Sequence, residues 1–472
     1  MITNNKFYLT KRFVAFGLCL ICNTMMLSAQ TVRADYFLKN SQTRSSMNPA
    51  FRPDQGYVGF PFLSDMGITV YTNFLNLDHL VFERNGERVT FLHPSVSSTD
   101  FLSNLPEQNN FDMDLHYKFL TLGWYNKKKG FWTFDAGIRN ITSVKIPRSL
   151  FELLKVGFDQ DENKPVGYSI QNLKVLETAY MEFGVGYSGS LLDDQLLVGA
   201  KVKILAGLAN MELSIDQLDI STGNGEWIAG SRATLAGSMK GIRPEYNDKN
   251  QFKSIKPGGA GFSGIGTGLD IGGSYKFLDK RAQVSMAFTD IGVIFWQKDN
   301  SMYLKTPETE VRISPDQLNL EKGNLSDQIQ TITDDLRETI NFKESEKSGR
   351  STALRTNMNI GLAYEVWKKN MSVGLLSSTY MGYGNTLSEL TLSANYNPDK
   401  IRWLSAAMSY SFLNNLNALG LALHLAPSQG FSLFVGSDFL LPHVNKDFFP
   451  TSSKAINFQV GIAVPMGKKR GL

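Results

Sequence analysis

Residues 264–277 read GIGTGLDIGGSYKF, and alternate positions differ in chemistry. Ile265, Thr267, Leu269, Ile271, Tyr275 and Phe277 fall on one side, and Gly264, Gly266, Gly268, Asp270, Gly272 and Ser274 on the other. Successive strand side chains point to opposite faces, so this is a strand with one apolar face and one small or polar face. The division recurs. Trp132, Phe134, Ala136 and Ile138 oppose Thr133, Asp135, Gly137 and Arg139, and Met181, Phe183, Val185 and Tyr187 oppose Glu182, Gly184, Gly186 and Ser188. Near the end, Ile456, Phe458, Val460 and Ile462 oppose Asn457, Gln459 and Gly461. One such strand is ordinary in a soluble sandwich, but a dozen or so of about 9–11 residues fit membrane-spanning strands better. A closed barrel turns its apolar row to lipid and leaves no unpaired edge.

The expected fold is therefore all-β, a transmembrane antiparallel β-barrel of about 14 strands with short helices in its insertions. Strands are expected near 66–75, 112–125, 131–141, 179–189, 195–205, 264–277, 282–296, 354–366, 371–380, 388–397, 402–412, 418–426, 430–439 and 455–464. Connections such as NKKKG, LLDD, FLDKR and NPDK are short, whereas 142–174, 206–263 and 297–353 are long. Outer-membrane barrels show this alternation of tight periplasmic turns and long external loops. Leu325, Ile329, Ile332, Leu336 and Ile340 recur at helical spacing, so 325–340 reads as an amphipathic helix, and 148–156 as a shorter one.

The stretch leading into the first quoted strand, GGAGFSGIG, also matches G-x-G-x-x-G at Gly259, Gly261 and Gly264, with Asp279 following. A dinucleotide loop follows a buried strand and opens a helix. Here the preceding RPEYNDKNQFKSIKP is polar with two prolines, and a glycine-rich alternating strand follows, so the match is a coincidence of spacing. No cofactor is expected.

The chain opens as a secretory precursor, with Lys6, Lys11 and Arg12 before an apolar run and a cleavage point after Ala29. The domain reading is signal peptide 1–29, a periplasmic lead-in or lumen plug over 30–65, and a barrel over 66–472. Cys19 and Cys22, the only cysteines, lie in the leader, so the exported chain has no disulfide and no thiolate metal site. Loss of the leader's three positive charges takes the net charge from +4 to +1, which gives no reason to expect a nucleic-acid partner.

Of five histidines, none has a short metal-ligand spacing, and only His116 and His424 fall on expected strands. Asp438 is a conceivable companion for His424, but no serine completes a triad, so a polar wall residue is the simpler account. The expected inward row carries Asp135, Arg139, Glu182, Lys201, Lys203, Asp270, Arg355, Glu365 and Glu389. Both signs are mixed, so these groups should pair across strands or bind lumen water. They are either structural lining or a polar conduit narrowed by a plug. The plug candidate is centred on Asn48, Pro49 and Ala50, in a stretch whose prolines at 49, 53 and 61 oppose a regular strand.

Four stretches, MNPAFRPDQGYVGFPFLSDMGITV, GTGLDIGGSYKF with SMAFTDIGVIFW, LAPSQGFSLFVGSDFLLP and NFQVGIAVPMG, occur in this order. Together, over about residues 40 to 468, they resemble an uncharacterised family of Bacteroidota outer-membrane β-barrels, a domain of unknown function. More distantly, Asn48-Pro49-Ala50 and the strand count are similar to long-chain fatty-acid transporter barrels, a class that includes shuttle barrels of type IX secretion. The first resemblance implies outer-membrane location. The second implies a plugged lumen passing hydrophobic molecules, or a docking barrel for secretion. The leading expectation is a non-catalytic outer-membrane barrel acting in transport or surface assembly. A structural barrel for protein secretion is the alternative, and an outer-membrane hydrolase a third. Expected partners are outer-membrane lipid, the barrel assembly machinery and secretion or surface proteins.

Overall fold

The computed structural model describes residues 32–467 apart from 75–80, 85–86, 92, 94, 128, 157–166, 224–225, 249–251, 307–309, 314–341, 347, 368–369, 383–385, 399–402, 414–415, 429 and 441–454. The leader at 1–29 and the helix expected over 325–340 lie outside the described residues.

A short strand β1 (Gly56–Gly59) leads into β2 (Asp65–Thr72), followed by β3 (Gln108–Tyr125), β4 (Phe131–Pro147), β5 (Gly167–Leu191) and β6 (Leu196–Gly223). After β7 (Glu226–Met239) come β8 (Gly264–Phe277), β9 (Ala282–Trp296), β10 (Thr356–Trp367), β11 (Met371–Met381) and β12 (Leu387–Tyr396). The last four are β13 (Leu404–Leu413), β14 (Leu416–Ser428), β15 (Phe431–Ser437) and β16 (Ala455–Met466). Strands β2–β6 and β8–β16 form a closed antiparallel barrel of 14 strands. Closure is made at β2, whose Ile68 faces Leu115 of β3 and Phe458 of β16. β1 fills the same slot nearer the short-turn end, with Tyr57 opposite Gly123 and Pro465. The slot is interrupted at 60–64, where Pro61 cannot donate to a ladder and Phe62 takes φ 65.

The pattern along β8 strictly alternates over residues 264–271. Gly264, Gly266, Gly268 and Asp270 are buried, whereas Ile265, Thr267, Leu269 and Ile271 are exposed. Exposed apolar rows recur as Val202 and Ile204 on β6, Leu362 and Tyr364 on β10, and Leu390 and Leu392 on β12. A soluble fold buries such rows; a ring in lipid presents them outward.

The two longest strands outrun the membrane by the most. β5 and β6 hold 25 and 28 residues, where about 9–11 suffice to cross. Beyond the ring β6 pairs β7, which pairs 301–305 and 310–313. Ile170, Ile215, Leu218, Leu235, Met302 and Leu304 make an apolar core in this extension. The expected long loop 206–263 is thus largely sheet. Alternation hides this because the register slips opposite Ala179/Tyr180 and again at Ile215/Gln217, each slip moving the apolar row to the other parity. A helix α1 (Arg148–Val156) covers part of the core with Leu150 and Leu153. Among the described residues no helix is long and apolar enough to cross a membrane.

Candidate functional site: a charged lumen filled by the N-terminal segment

Residues 32–55 lie inside the ring as two short 3-10 turns, Arg33–Asp35 and Thr43–Ser46, joined by bends. This segment is bonded around the wall. Val32 N donates to Gln459 Oε1 at 2.8 Å, and Arg33 N and Ala34 N donate to the Asp438 carboxylate at 2.8 and 3.0 Å. Tyr36 Oη lies 3.0 Å from Ser285 Oγ, Asn359 Nδ2 donates to the Met47 carbonyl at 3.0 Å, and Ser188 Oγ to that of Ala50 at 2.8 Å. Arg52 Nη1 reaches the Lys129 carbonyl at 2.9 Å in the β3–β4 turn.

Asn48, Pro49 and Ala50 pack where the wall is bare. Asn48 Oδ1 accepts from Ala50 N at 3.0 Å, which folds the triplet, and Asn48 Nδ2 donates to the Gly273 carbonyl at 3.3 Å. A Cβ at Gly272 would sit 2.2 Å from Asn48 Oδ1, and one at Gly199 would sit 2.3 Å from the Pro49 carbonyl oxygen. The glycines serve backbone approach here. At Gly266 a Cβ would instead meet the Val293 carbonyl oxygen of the neighbouring strand at 2.3 Å, and at Gly268 it would touch only Lys203 and Leu354 at ordinary distance.

Six of the nine inward candidates converge. Lys201 Nζ lies 2.6 Å from Asp135 Oδ2, and Lys203 Nζ lies 2.9 Å from Asp270 and 2.5 Å from Asp290. Arg139 takes Asp290 at 2.6 Å and clasps Asp114 with Nε and Nη2 at 3.1 and 2.8 Å. Glu182 is buried among them, and its Oε2 has no hydrogen-bond partner among the described residues. These groups line a cavity of about 50 Å³. Room for a few waters is all that volume offers. Lys118 links the network to the inner segment, with Nζ 2.6 Å from Ser46 Oγ and 3.5 Å from Asp65.

Arg355 and Glu389 sit apart from these, nearer the long-loop end. Glu389 pairs with Arg33, and Arg355 Nη1 lies 3.7 Å from Asp112 Oδ1. The guanidinium carbons of Arg33 and Arg355 lie 5.4 and 5.5 Å from the Tyr380 ring centroid. Tyr380 lines this upper cavity and the lower one, and so partitions the lumen. Glu365 is distant from both groups, pairing with Lys39 at 2.7 Å near the short-turn end.

The inward list lacks Asp65, Asp112, Asp114, Lys118 and Asp290. Four of these were readable, since Asp112, Asp114, His116 and Lys118 alternate along β3 and Asp65 heads β2. Asp290 was not. It occupies a bulge with φ 59, so Thr289 and Asp290 are both buried, and strict alternation would send Asp290 to lipid beside Met286. His424 is buried on β14, but Asp438 packs against Gly420, four residues along that strand and about 13 Å away at strand rise. No group of three His, Cys, Asp or Glu side chains suited to a metal ion occurs among the described residues. Asp279 lies in the tight β8–β9 turn, where Leu278, Asp279 and Lys280 all take positive φ.

Outside the spanning strands, burial pushes the Asp35 carboxyl up to about 7, partly opposed by the Ser41 and Thr43 hydroxyls and by Arg44. Burial also draws the Arg44 guanidinium down to about 10.

These features define a closed fourteen-stranded barrel of outer-membrane type whose lumen is occupied by its own N-terminal segment. The chain belongs to DUF5723, a family of unknown function whose model matches residues 49–438. Among solved structures it is similar to a Pseudomonas aeruginosa FadL homologue, at 11% identity and a TM-score of 0.42, over 93% of this chain and 99% of that one. It is also similar to the Pseudomonas putida toluene transporter TodX, at 9% identity and TM-score 0.35, over 93% and 95% of the two chains. The monoaromatic hydrocarbon channel CymD matches at 11% identity and TM-score 0.31, over 92% of each. No curated protein matches the sequence.

Proposed function

We propose that the protein is an outer-membrane transport barrel for small or hydrophobic molecules, held closed at rest by residues 32–55. The observation that carries this reading is the inner segment's attachment. Its bonds run to wall residues as far apart as Ser188, Ser285, Asn359 and Gln459 rather than to one strand. The mixed charges around this segment make its seat polar, so water can take over the seat's hydrogen bonds when the segment leaves. The reading has no catalytic step. The full chain in planar bilayers should be silent or flicker briefly, and variants that unseat residues 32–55 should conduct steadily. A steady large conductance from the wild-type chain would overturn the closed resting state. Solute uptake unaffected by deleting the gene would overturn transport.

A second reading is a docking barrel for secretion or surface-protein assembly. It is favoured by the extension of β5–β7, which carries an apolar core of its own outside the ring. Its contact surfaces would be the 206–263 and 297–353 insertions. Crosslinking in intact cells distinguishes the two: reproducible protein partners through those insertions support docking, and none supports transport.

A further inference from the structure

We propose that the lower cavity holds one small monovalent cation, sodium in size and charge, seated on Glu182 Oε2 and Asp135 Oδ1. Both residues line this space of about 50 Å³, and they are 7% and 4% exposed. Neither oxygen has a hydrogen-bond partner among the described residues. Nor does Asn357 Oδ1, as its amide is oriented, which lines the same space from β10. All three are acceptors. Among the described residues no nitrogen of a lining side chain is buried without a partner. What the cavity lacks is positive.

The neighbouring cations bond elsewhere. Lys118 Nζ bonds Ser46 Oγ at 2.6 Å and lies 3.9 Å from Asp135 Oδ1, beyond hydrogen-bond reach. Lys201 Nζ takes the other Asp135 oxygen, and Lys203 Nζ is shared between Asp270 and Asp290. Arg139 is held by Asp114 and Asp290. Lys118 and Lys203 act on Glu182 only through the field, without a bond to it.

The charge count points the same way. Lys118, Arg139, Lys201 and Lys203 bring four positive charges to this network. Asp65, Asp114, Asp135, Glu182, Asp270 and Asp290 bring six negative ones. His116, 3.4 Å from Asp65, offsets one of the excess when protonated. One negative charge then remains uncompensated and buried, which is costly. Water would satisfy the lone pairs and leave that charge in place; a monovalent cation cancels it. A divalent ion would overshoot, and Lys118 and Lys203 would repel it twice as strongly. Carboxylate, amide and water oxygens suit a hard cation. A water needs about 10–15 Å³ of such space, and a bare sodium ion is smaller than a water, so the ion fits with two waters beside it. Ser46 and Met47 line the same cavity, so the ion lies against the inner segment. None of this rests on the transport reading.

The test follows thermal unfolding of the full chain by tryptophan fluorescence in a non-ionic detergent, exchanging choline chloride for sodium chloride at constant ionic strength. Choline is too large for the cavity. Sodium is expected to raise the unfolding temperature saturably, and choline to leave it unchanged. Glu182→Gln keeps the shape and removes the charge, so it should raise the half-saturating sodium concentration at least tenfold. In choline this variant should unfold at or above the wild-type temperature, because the stranded charge is gone. A Glu182 that served only as structure would leave the variant less stable in both salts, and that result overturns the site. Should Glu182→Gln not fold, Asn357→Ala serves, and it should raise the half-saturating concentration at least threefold. A shift that choline reproduces, a sodium response unchanged in the variant, or calcium acting at lower concentration than sodium also overturns it. Sodium binding by a barrel that shows neither conductance nor uptake overturns the transport reading and leaves the site standing.

Discussion

Arg33 Nη2 lies 2.9 Å from Glu389 Oε2 and Nη1 lies 3.3 Å from Asp438 Oδ2, with every side chain at most 4% exposed. One residue of the inner segment thus neutralises carboxylates on two parts of the wall. Removal of its side chain strands Glu389, whereas Asp438 keeps two backbone N–H donors and Asn457, and breaking a buried pair costs about 3–5 kcal/mol. Arg33→Ala is expected to add open events to single-channel recordings and to make Lys39 and Arg44 cleavable by trypsin. Adding Glu389→Gln should restore part of the closure. Recordings and digestion indistinguishable from wild type would remove Arg33 as the anchor.

Gly272 and Gly273 are adjacent, yet they should respond oppositely to a methyl group. A Cβ at Gly272 collides with Asn48, whereas one at Gly273 meets only the Leu197 carbonyl oxygen at 3.6 Å. Gly272→Ala is expected to raise conductance while the barrel keeps its heat-modifiable migration on gels. Gly273→Ala should behave as wild type, and equal effects from both would show that the Asn48 contact is irrelevant.

Asp35 sets a pH dependence. Its folded carboxyl titrates near 7, above the ordinary value of about 3.9. A raised value means the folded state holds the proton more tightly, so the stabilising contribution is full below about pH 4 and is lost as pH rises through 7. The difference is on the order of 4 kcal/mol at most by proton linkage. Trypsin resistance of residues 32–55 should therefore fall between pH 5 and 8 in the wild type, and that slope should flatten in Asp35→Asn. An unchanged slope would assign the dependence to another group.

Asp290 is held in left-handed backbone so that one carboxylate serves Arg139 and Lys203 together. Asp290→Asn keeps the shape and removes the charge, so it is expected to cost roughly 3–5 kcal/mol. The readout is the temperature at which the folded band converts to the unfolded band on gels. A shift under a degree or two would mean that cavity water replaces the carboxylate.

The wall was legible in the sequence because a lipid-facing strand writes its two faces as alternate residues. Gly264–Phe277 and Ala282–Trp296 have the bounds that alternation alone predicts. It failed at phase slips. β6 runs on to Gly223, where a stop near 205 was expected, and Asp290 was hidden by its bulge. The lumen was half legible: inward charges can be named from parity, but their partners cannot, because pairing depends on the ring's curvature and on Arg33, Lys39 and Ser46 arriving from outside the strand pattern. Nothing local in RADYFLKN announces a residue that reaches Glu389 and Asp438.

The wall is sealed where β2 meets β16, and residues 32–55 lie directly before that seam in the chain. They are bent back on themselves inside the ring, beside cavities of about 20 and 50 Å³. Filling the lumen and closing the wall are therefore neighbouring tasks along the chain, and a substitution at the seam bears on both.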